Sequence, residues 1–517
     1  MRRNPTISMA AVALIASLAV PLQLNAQHTR YKLTDIGTLG GPSGSVPTVF
    51  FEIGGTLTAG ARVISNRGTV TGTADTSTAD PLCFFDDCFY PSVFQWQNGV
   101  LTNLGALPGS QWSAVNWISG NGLIAGFSEN GATDPLTGLP AFHAVSWRGG
   151  QITDLGTLQG GYESWAFAVN NRGRVVGFST NGTSDPYSYF YFQIFGSGTG
   201  TQMRAFSWDK QNGMQDLGTL GGPDAWAGLV NEQGQIAGIS YINSTPNADN
   251  ATCAPNVPTQ DPFFWETGTG MIDIGTLGGT CGVPNALNNR GQVVGESYLA
   301  GNLHVHAFLW DKKANPQLTD LGTLGGDNAS ALWLNDAGQV IGFADLPPSP
   351  PGCTGLTCVH HAFLWKQGVM ADLGTLNGDP CSRALSINSK GQIVGASATV
   401  CGGPLTHALL FENGRSIDLN TLVPPGSALA LTEAIYINDR GDIAGIGALS
   451  NGDTHAFLLT PCGEVDESCG GGANENAALL TSVRPAASRG TLPQPRLRTS
   501  PYHLPVRAIG TKDQTLR

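Results

Sequence analysis

Eight segments of this chain are near-copies of one another: DIGTLGG from Asp35, NLGALPG from Asn103, DLGTLQGG from Asp154, DLGTLGG from Asp216, DIGTLGG from Asp273, DLGTLGG from Asp320, DLGTLNG from Asp372 and DLNTLVP from Asp418. They follow one another at 68, 51, 62, 57, 47, 52 and 46 residues. Self-similarity at such a period marks a fold assembled from one repeated supersecondary unit. Each copy leads into a second signature, as in LNNRGQVVG ending at Gly295, LNDAGQVIG ending at Gly342 and INSKGQIVG ending at Gly395. A third follows, clearest as HAFLW at His306–Trp310 and His361–Trp365.

Each signature reads as a strand or a turn. HAFLW alternates its residues between two faces and is rich in aromatic and aliphatic side chains, which suits a strand. A short Gly-centred turn leads to a second strand ending in Asp-Leu-Gly. The third ends at the Asn of Asn-x-x-Gly, a hairpin turn, and Gln-Ile-Val-Gly completes the unit. Outside the N-terminal leader no segment has a convincing 3.6-residue period. Four short strands per unit, eight times over, predict an all-β chain: a β-propeller of about eight four-stranded blades, with seven blades or an open β-solenoid as alternatives. The chain enters at Tyr31-Lys32-Leu33, matching the second strand of a unit, and its last signature is HAFLL at His455–Leu459, matching the first. One blade is therefore expected to be assembled from both termini, closing the ring and leaving no open edge.

HAFLW, DLGTLGG and NxxGQIVG together resemble the HAF repeats of bacterial secreted proteins, over roughly Tyr31 to Leu459. The resemblance implies an extracellular repeat protein and carries no established activity. Some relatives end in a sorting segment with a membrane helix or in an outer-membrane barrel, and neither pattern is visible here.

The leader itself points to export. Arg2 and Arg3 precede an apolar run ending at Leu24-Asn25-Ala26, so residues 1–26 read as a secretory signal peptide and the mature protein as secreted and extracellular, or periplasmic. No other apolar run approaches a bilayer span. Residues 27–460 form the repeat body. The segment 461–517 has Gly470-Gly471-Gly472 and no repeat signature, and reads as a disordered tail. With 38 acidic against 26 basic residues, the chain lacks the excess charge that neutralises phosphates, which argues against nucleic acid as a partner. A monomer is expected.

Aligning the units with one another separates scaffold from display. From Ser65, Ser119, Asn170, Asn231, Asn288, Asn335, Asn388 and Asn438, the turn signature reaches its closing Gly in a constant seven residues. From that Gly to the HAF-like strand the gap runs from 9 to 26 residues. The two variable connections, after GQIVG and after LGTLGG, must emerge at the same end because strands alternate in direction. Binding residues concentrate on such loops. All ten Cys lie outside the repeat strands, and in an exported chain they read as disulfides. The expected pairs are Cys83–Cys88, Cys353–Cys358, Cys462–Cys469, Cys253–Cys281 and Cys381–Cys401. Other connectivities remain open.

Few residues suggest chemistry. His143, His306, His361, His407 and His455 recur at the head of HAF, and one per blade reads as structural, bonding neighbouring backbone. The Asp of DLGTLGG reads as a strand-end acceptor that forms the turn. No metal site and no catalytic residue is assigned, and no cofactor is expected, although calcium remains open for an acidic secreted protein. Trp112, Trp165 and Trp226 sit near the start of the segment between LGTLGG and the Asn turn in three successive units. If exposed, they form an aromatic arc beside Tyr162, Glu163 and Asp224, suited to sugar rings or an extended chain; the competing reading packs them between blades. The function expected is non-enzymatic binding of a glycan or a cell-surface protein by the loop face. The rivals are a purely structural surface component and a propeller enzyme acting on polysaccharide. Such an enzyme needs acidic groups peculiar to a few blades, of which Asp86, Asp87, Glu129, Asp134 and Asp185 are the candidates.

Overall fold

The computed structural model describes residues 29–47, 61–81, 88–194, 200–247, 257–313, 315–348, 355–376, 378–412 and 414–463. The leader, the tail from residue 464, Asp86, Asp87, Cys83, Cys253, Cys353 and Cys469 lie outside them. The described chain is nearly all β and folds as a β-propeller of eight antiparallel four-stranded blades. Six blades are separate sheets; the fourth and fifth share one eight-stranded sheet through a single parallel pairing of Gln260 with Cys281.

Blade 3 shows the plan. Ser164–Val169 pairs with Val175–Ser184, which pairs with Thr201–Asp209, which pairs with Gly213–Asp216. The blade therefore starts at the strand ending in Asn and finishes at Asp-Leu-Gly. Numbered by first strand, the blades begin at Gly40–Ser45, Ser113–Ile118, Ser164–Val169, Ala225–Val230, Gly278–Leu287, Ala329–Leu334, Cys381–Ile387 and Ala430–Ile437. In blade 8 the outer strand is the N-terminal Tyr31–Gly37, paired antiparallel with the C-terminal Thr454–Pro461. Leu33 lies opposite Leu459, so the two termini complete one sheet, as their motifs predict.

The motif residues hold each blade and join it to the next. In blades 2, 5, 6 and 8 the HAF His donates from Nδ1 to the Asp of the adjoining outer strand, not to backbone: His143–Asp154 at 3.0 Å, and His306–Asp320, His361–Asp372 and His455–Asp35 at 2.9 Å. Blade 3 uses Arg204 with Asp216 at 3.0 Å. The same Asp accepts the N–H of the Gly two residues on, as Asp154 does from Gly156 at 2.8 Å.

The Asn of Asn-x-x-Gly does more than form a turn. Asn388 Oδ1 accepts the N–H groups of Lys390 and Gln392, while its Nδ2 donates to the Asn438 carbonyl of the next blade at 3.0 Å. Asn170, Asn231, Asn288 and Asn335 repeat that forward bond at 2.9 to 3.1 Å, and Asn438 reaches Ser65 of blade 1 at 3.5 Å. A belt of amide bonds thus runs from blade 3 through blade 8 to blade 1. Where Ser65 and Ser119 replace Asn the hydroxyl is too short, and Asn66 N–H to Gly120 and Asn121 Nδ2 to Asn171 take over. The Gly of GQIVG is fixed by crowding: a Cβ on Gly177 or Gly395 would lie 1.8 or 1.9 Å from the carbonyl oxygen of Trp165 or Arg383.

Each first strand from blade 2 onward carries a bulge two or three residues before that turn, as between Val115 and Trp117 or Ala331 and Trp333. A bulge re-aims the next side chain. Trp117 of blade 2 and Trp333 of blade 6 stack with ring centroids 6.0 Å apart, and Tyr436 of blade 8 meets Trp333 edge-on at 5.8 Å. Strands four blades apart in eight touch only across the axis, so these rings fill it.

Candidate binding face

The connections after the second strand and after the outer strand of each blade leave from the same end. There Cys381, at the head of the first strand of blade 7, is bonded to Cys401 in the connection after Ile393–Ala398, Cα atoms 5.5 Å apart, which is the expected pairing. Cys88, Cys281, Cys358 and Cys462 are also disulfide-bonded, and the partners expected for them lie outside the described residues.

The tryptophans stand at this end without forming an exposed arc. Trp112 and Trp226 are 6% and 3% exposed. Trp112 meets Phe142 edge-on at 4.9 Å, Trp226 lies 4.9 Å from Tyr189, and half-buried Trp165 stacks on Phe127 at 4.3 Å and 6°. Trp165 and Trp226 turn onto the preceding blade and Trp112 onto Phe127 and Phe142 of its own, so packing takes the rings that the arc needed. Glu163 and Asp224 are likewise buried clips between blades. Glu163 Oε2 accepts the Phe142 N–H at 2.9 Å, and Asp224 accepts those of Tyr189 and Met203 at 2.6 and 2.7 Å. Burial pushes both carboxyls well above the usual range; Asp134 adds to it for Glu163 and Asp185 for Asp224. Of the six candidates only Tyr162 is open, at 40% exposure. Tyr187, which sequence reasoning did not single out, is 39% exposed on the same blade and end.

Of the acidic candidates, Glu129, Asp134 and Asp185 lie among the described residues. Glu129 accepts from Ser110 at 2.9 Å, and burial raises its carboxyl. Asp134 and Asp185 each shape their own loop by accepting the N–H two residues on, from Leu136 and Tyr187. Among the described residues no group of three or more His, Cys, Asp or Glu is arranged to hold a metal ion. No helix among them is long and apolar enough to cross a membrane.

Three departures from the repeat carry charge. Arg383 of blade 7 stands where Trp165 stands in blade 3. Its guanidinium lies over Phe343 at 5.8 Å, and its Nε donates to His360 Nε2 at 3.4 Å. Fully buried His360 gives its other nitrogen to the Cys358 carbonyl at 2.9 Å. Burial and then the Arg383 charge hold that imidazole down at about 3, so it is neutral. Glu433 of blade 8 is the carboxylate that Arg383 feels, and burial pushes it up to about 7. In blade 4 the HAF His is replaced by Asp261, which faces Asp273; burial and then that carboxylate push Asp261 up to about 7. The signal for Arg383 lies in the alignment of the units, where it stands in the column that holds Trp165 and Trp226 in blades 3 and 4 and uncharged residues in blades 2, 5 and 6.

No family model matches the chain, and no curated protein matches it. Among solved structures it is similar to the β-propeller domain of the Trilobed protease from Pyrococcus furiosus, at 10% identity over 77% of this chain and 100% of that one, TM-score 0.36. A polysaccharide lyase, an ulvan lyase, is similar at 13% identity over 83% and 96%, TM-score 0.38. A puromycin-hydrolyzing peptidase of Mycobacterium tuberculosis is similar at 11% over 84% and 63%, TM-score 0.38. At this identity the likeness concerns the fold alone.

Proposed function

We propose that this chain is an exported binding protein whose loop face engages a polysaccharide. One observation carries the reading: Tyr162 and Tyr187 are both open on blade 3, at the end where the variable, disulfide-tied connections emerge. A flat ring with a hydroxyl stacks on a sugar while bonding to it. The leader, the disulfides and the HAF resemblance support a secreted or periplasmic setting. The test is affinity electrophoresis of the mature chain against a panel of neutral and acidic polysaccharides, with Tyr162→Ala/Tyr187→Ala run beside it and its melting checked. Retardation by one polymer that is lost in the variant supports the reading. It fails if no polymer retards the protein or if the variant is retarded equally.

A second reading, an enzyme acting on polysaccharide, rests on Arg383 and Glu433, which break the repeat on the first strands of blades 7 and 8. Release of reducing ends or unsaturated sugars by the wild type, abolished in Glu433→Gln, is its test.

A further inference from the structure

Two adjacent seams carry a construction that the blade motifs do not require. Between blades 3 and 4, Asp185 and Asp224 lie together at 5% and 0% exposure. Asp224 has an N–H donor on each oxygen, from Tyr189 and Met203, and Asp185 Oδ1 takes the Tyr187 N–H. Asp185 Oδ2 has no hydrogen-bond partner. The loop that wraps the pair runs from Tyr187, bonded to one carboxylate, to Tyr189, bonded to the other. Between them is Ser188, fully buried with its hydroxyl equally without a partner. The Tyr241 hydroxyl, also buried and unpartnered, lies within the field of both carboxylates. One blade earlier the pattern recurs. Asp134 of blade 2 faces Glu163 of blade 3, Asp134 Oδ2 is buried without a partner, and so is the nearby Tyr191 hydroxyl.

A buried carboxylate pair must be neutralised, because desolvating two like charges together costs far more than a few N–H bonds return. A shared proton and a cation can each do so. A shared proton satisfies the two carboxyls only, and leaves Ser188 and Tyr241 as they are. A hard cation draws carboxylate and hydroxyl oxygens to one point, and Asp185 Oδ2, Ser188 Oγ, Tyr241 Oη, Asp134 Oδ2 and Tyr191 Oη are all oxygens, although the Trp165 Nε1 between blades 2 and 3, a donor, is also without a partner. Buried polar groups without partners call for an ion or a water.

We infer that each of these two seams is a calcium site, one held by Asp185, Asp224 and Ser188, the other by Asp134 and Glu163. The ions clamp the loops of blades 2 and 3 onto the next blade. Extracellular modules bind calcium at about 0.1–1 mM, so saturation is expected outside the cell and loss in chelator.

The mature chain, stripped with chelator, supplies the test. Trp226 and Tyr189, each within two residues of a seam residue in sequence, serve as antennae for terbium(III). Excitation of the aromatic rings is expected to give sensitised terbium emission that calcium displaces. Calorimetric titration is expected to find two calcium ions per chain in the wild type, one in Asp185→Asn and none in Asp134→Asn/Asp185→Asn. Calcium at roughly 100 times its Kd raises the melting temperature by about 3 °C per occupied site. Because Asn keeps the shape and removes a buried charge, the variants are expected to melt in chelator no lower than the wild type. The inference is overturned if calcium gives neither heat nor a melting shift, or if Asp185→Asn leaves the stoichiometry at two; a shared proton then neutralises the seams.

Discussion

Blade 4 replaces the His–Asp pair of its neighbours with Asp261 and Asp273, and the consequence is a pH dependence that one substitution removes. Asp261 is 8% exposed, and burial and then the Asp273 carboxylate raise it from 3.8 to about 7. The folded state therefore holds a proton that the unfolded chain releases near pH 4. The stability due to that proton is complete below about pH 4 and is lost as pH rises toward 7. A shift of about three units at roughly 1.4 kcal/mol each gives at most about 4 kcal/mol for the whole window. Asp261→Asn keeps the shape, cannot ionise, and offers an N–H to Asp273. It is expected to match the wild type near pH 4 and to exceed it by about 2–4 kcal/mol at pH 8. Unfolding entropy of about 2.1 cal/mol/K per residue gives roughly 0.9 kcal/mol/K for a cooperative body of about 430 residues, so the melting temperature should rise by about 2–4 °C. Scanning calorimetry of both proteins between pH 4 and 8 measures the difference directly. Glu433 and the seam carboxylates titrate in both proteins and cancel. Parallel curves across the range would refute the shared-proton account of blade 4, as would an advantage for the variant that grows toward low pH.

Three further outcomes follow from the packing. Trp117→Ala removes one ring from the axis and is expected to cost about 3–5 kcal/mol in guanidinium unfolding, with a coupling to Trp333→Ala of about 1 kcal/mol in a double-mutant cycle. Asn288→Ala breaks the belt, strips the Gln292 N–H and the Asn335 carbonyl of their partner, and is expected to cost about 2–3 kcal/mol, whereas His306→Ala, on a partly exposed pair, costs about 1 kcal/mol or less by the same assay. Cys381→Ser/Cys401→Ser opens a link across a sequence separation of 20 and is expected to lower stability by about 3 kcal/mol, read as the difference between wild type and variant unfolded side by side without reductant.

The strands, the hairpins and the joining of the termini were legible because each rests on a local pattern. Alternation in HAFLW, the turn in Asn-x-x-Gly and the matching halves at Tyr31 and His455 need no knowledge of distant residues. The Cys381–Cys401 link was legible for a related reason, since both ends fall on loops that the topology sends to one end of the blade. What the sequence concealed was direction. Trp112, Trp165 and Trp226 stand near the loop entry of three successive units, and nothing local says whether such a residue faces solvent or packs into the blades. The HAF His was assigned to backbone because its true partner lies across a strand pair, 11 residues away in blade 2 and 420 away in blade 8. Trp117 and Trp333 are 216 residues apart, and only the bulge that re-aims them brings them together.

The axis also changes how departures from the repeat should be read. Contacts from one blade to the next can be identical eight times, which is why Asn, Gly and His–Asp recur. The axis cannot accept eight copies of one large side chain, because all eight would meet at a line. The column two residues before the turn runs Val63, Trp117, Ala168, Leu229, Ala286, Trp333, Ser386 and Tyr436, with small residues on blades 3, 5 and 7 between the large ones. Trp117 and Trp333 span the centre from opposite sides, and Tyr436 meets Trp333 edge-on. Asymmetry there is a packing requirement and carries no message about chemistry. Arg383, Glu433 and Asp261 stand elsewhere, in columns where the repeat could have kept an aromatic, aliphatic or His residue without collision. Packing gives no reason for charge at those three positions, so these, together with the carboxylate seams, are where selection for a ligand has room to act.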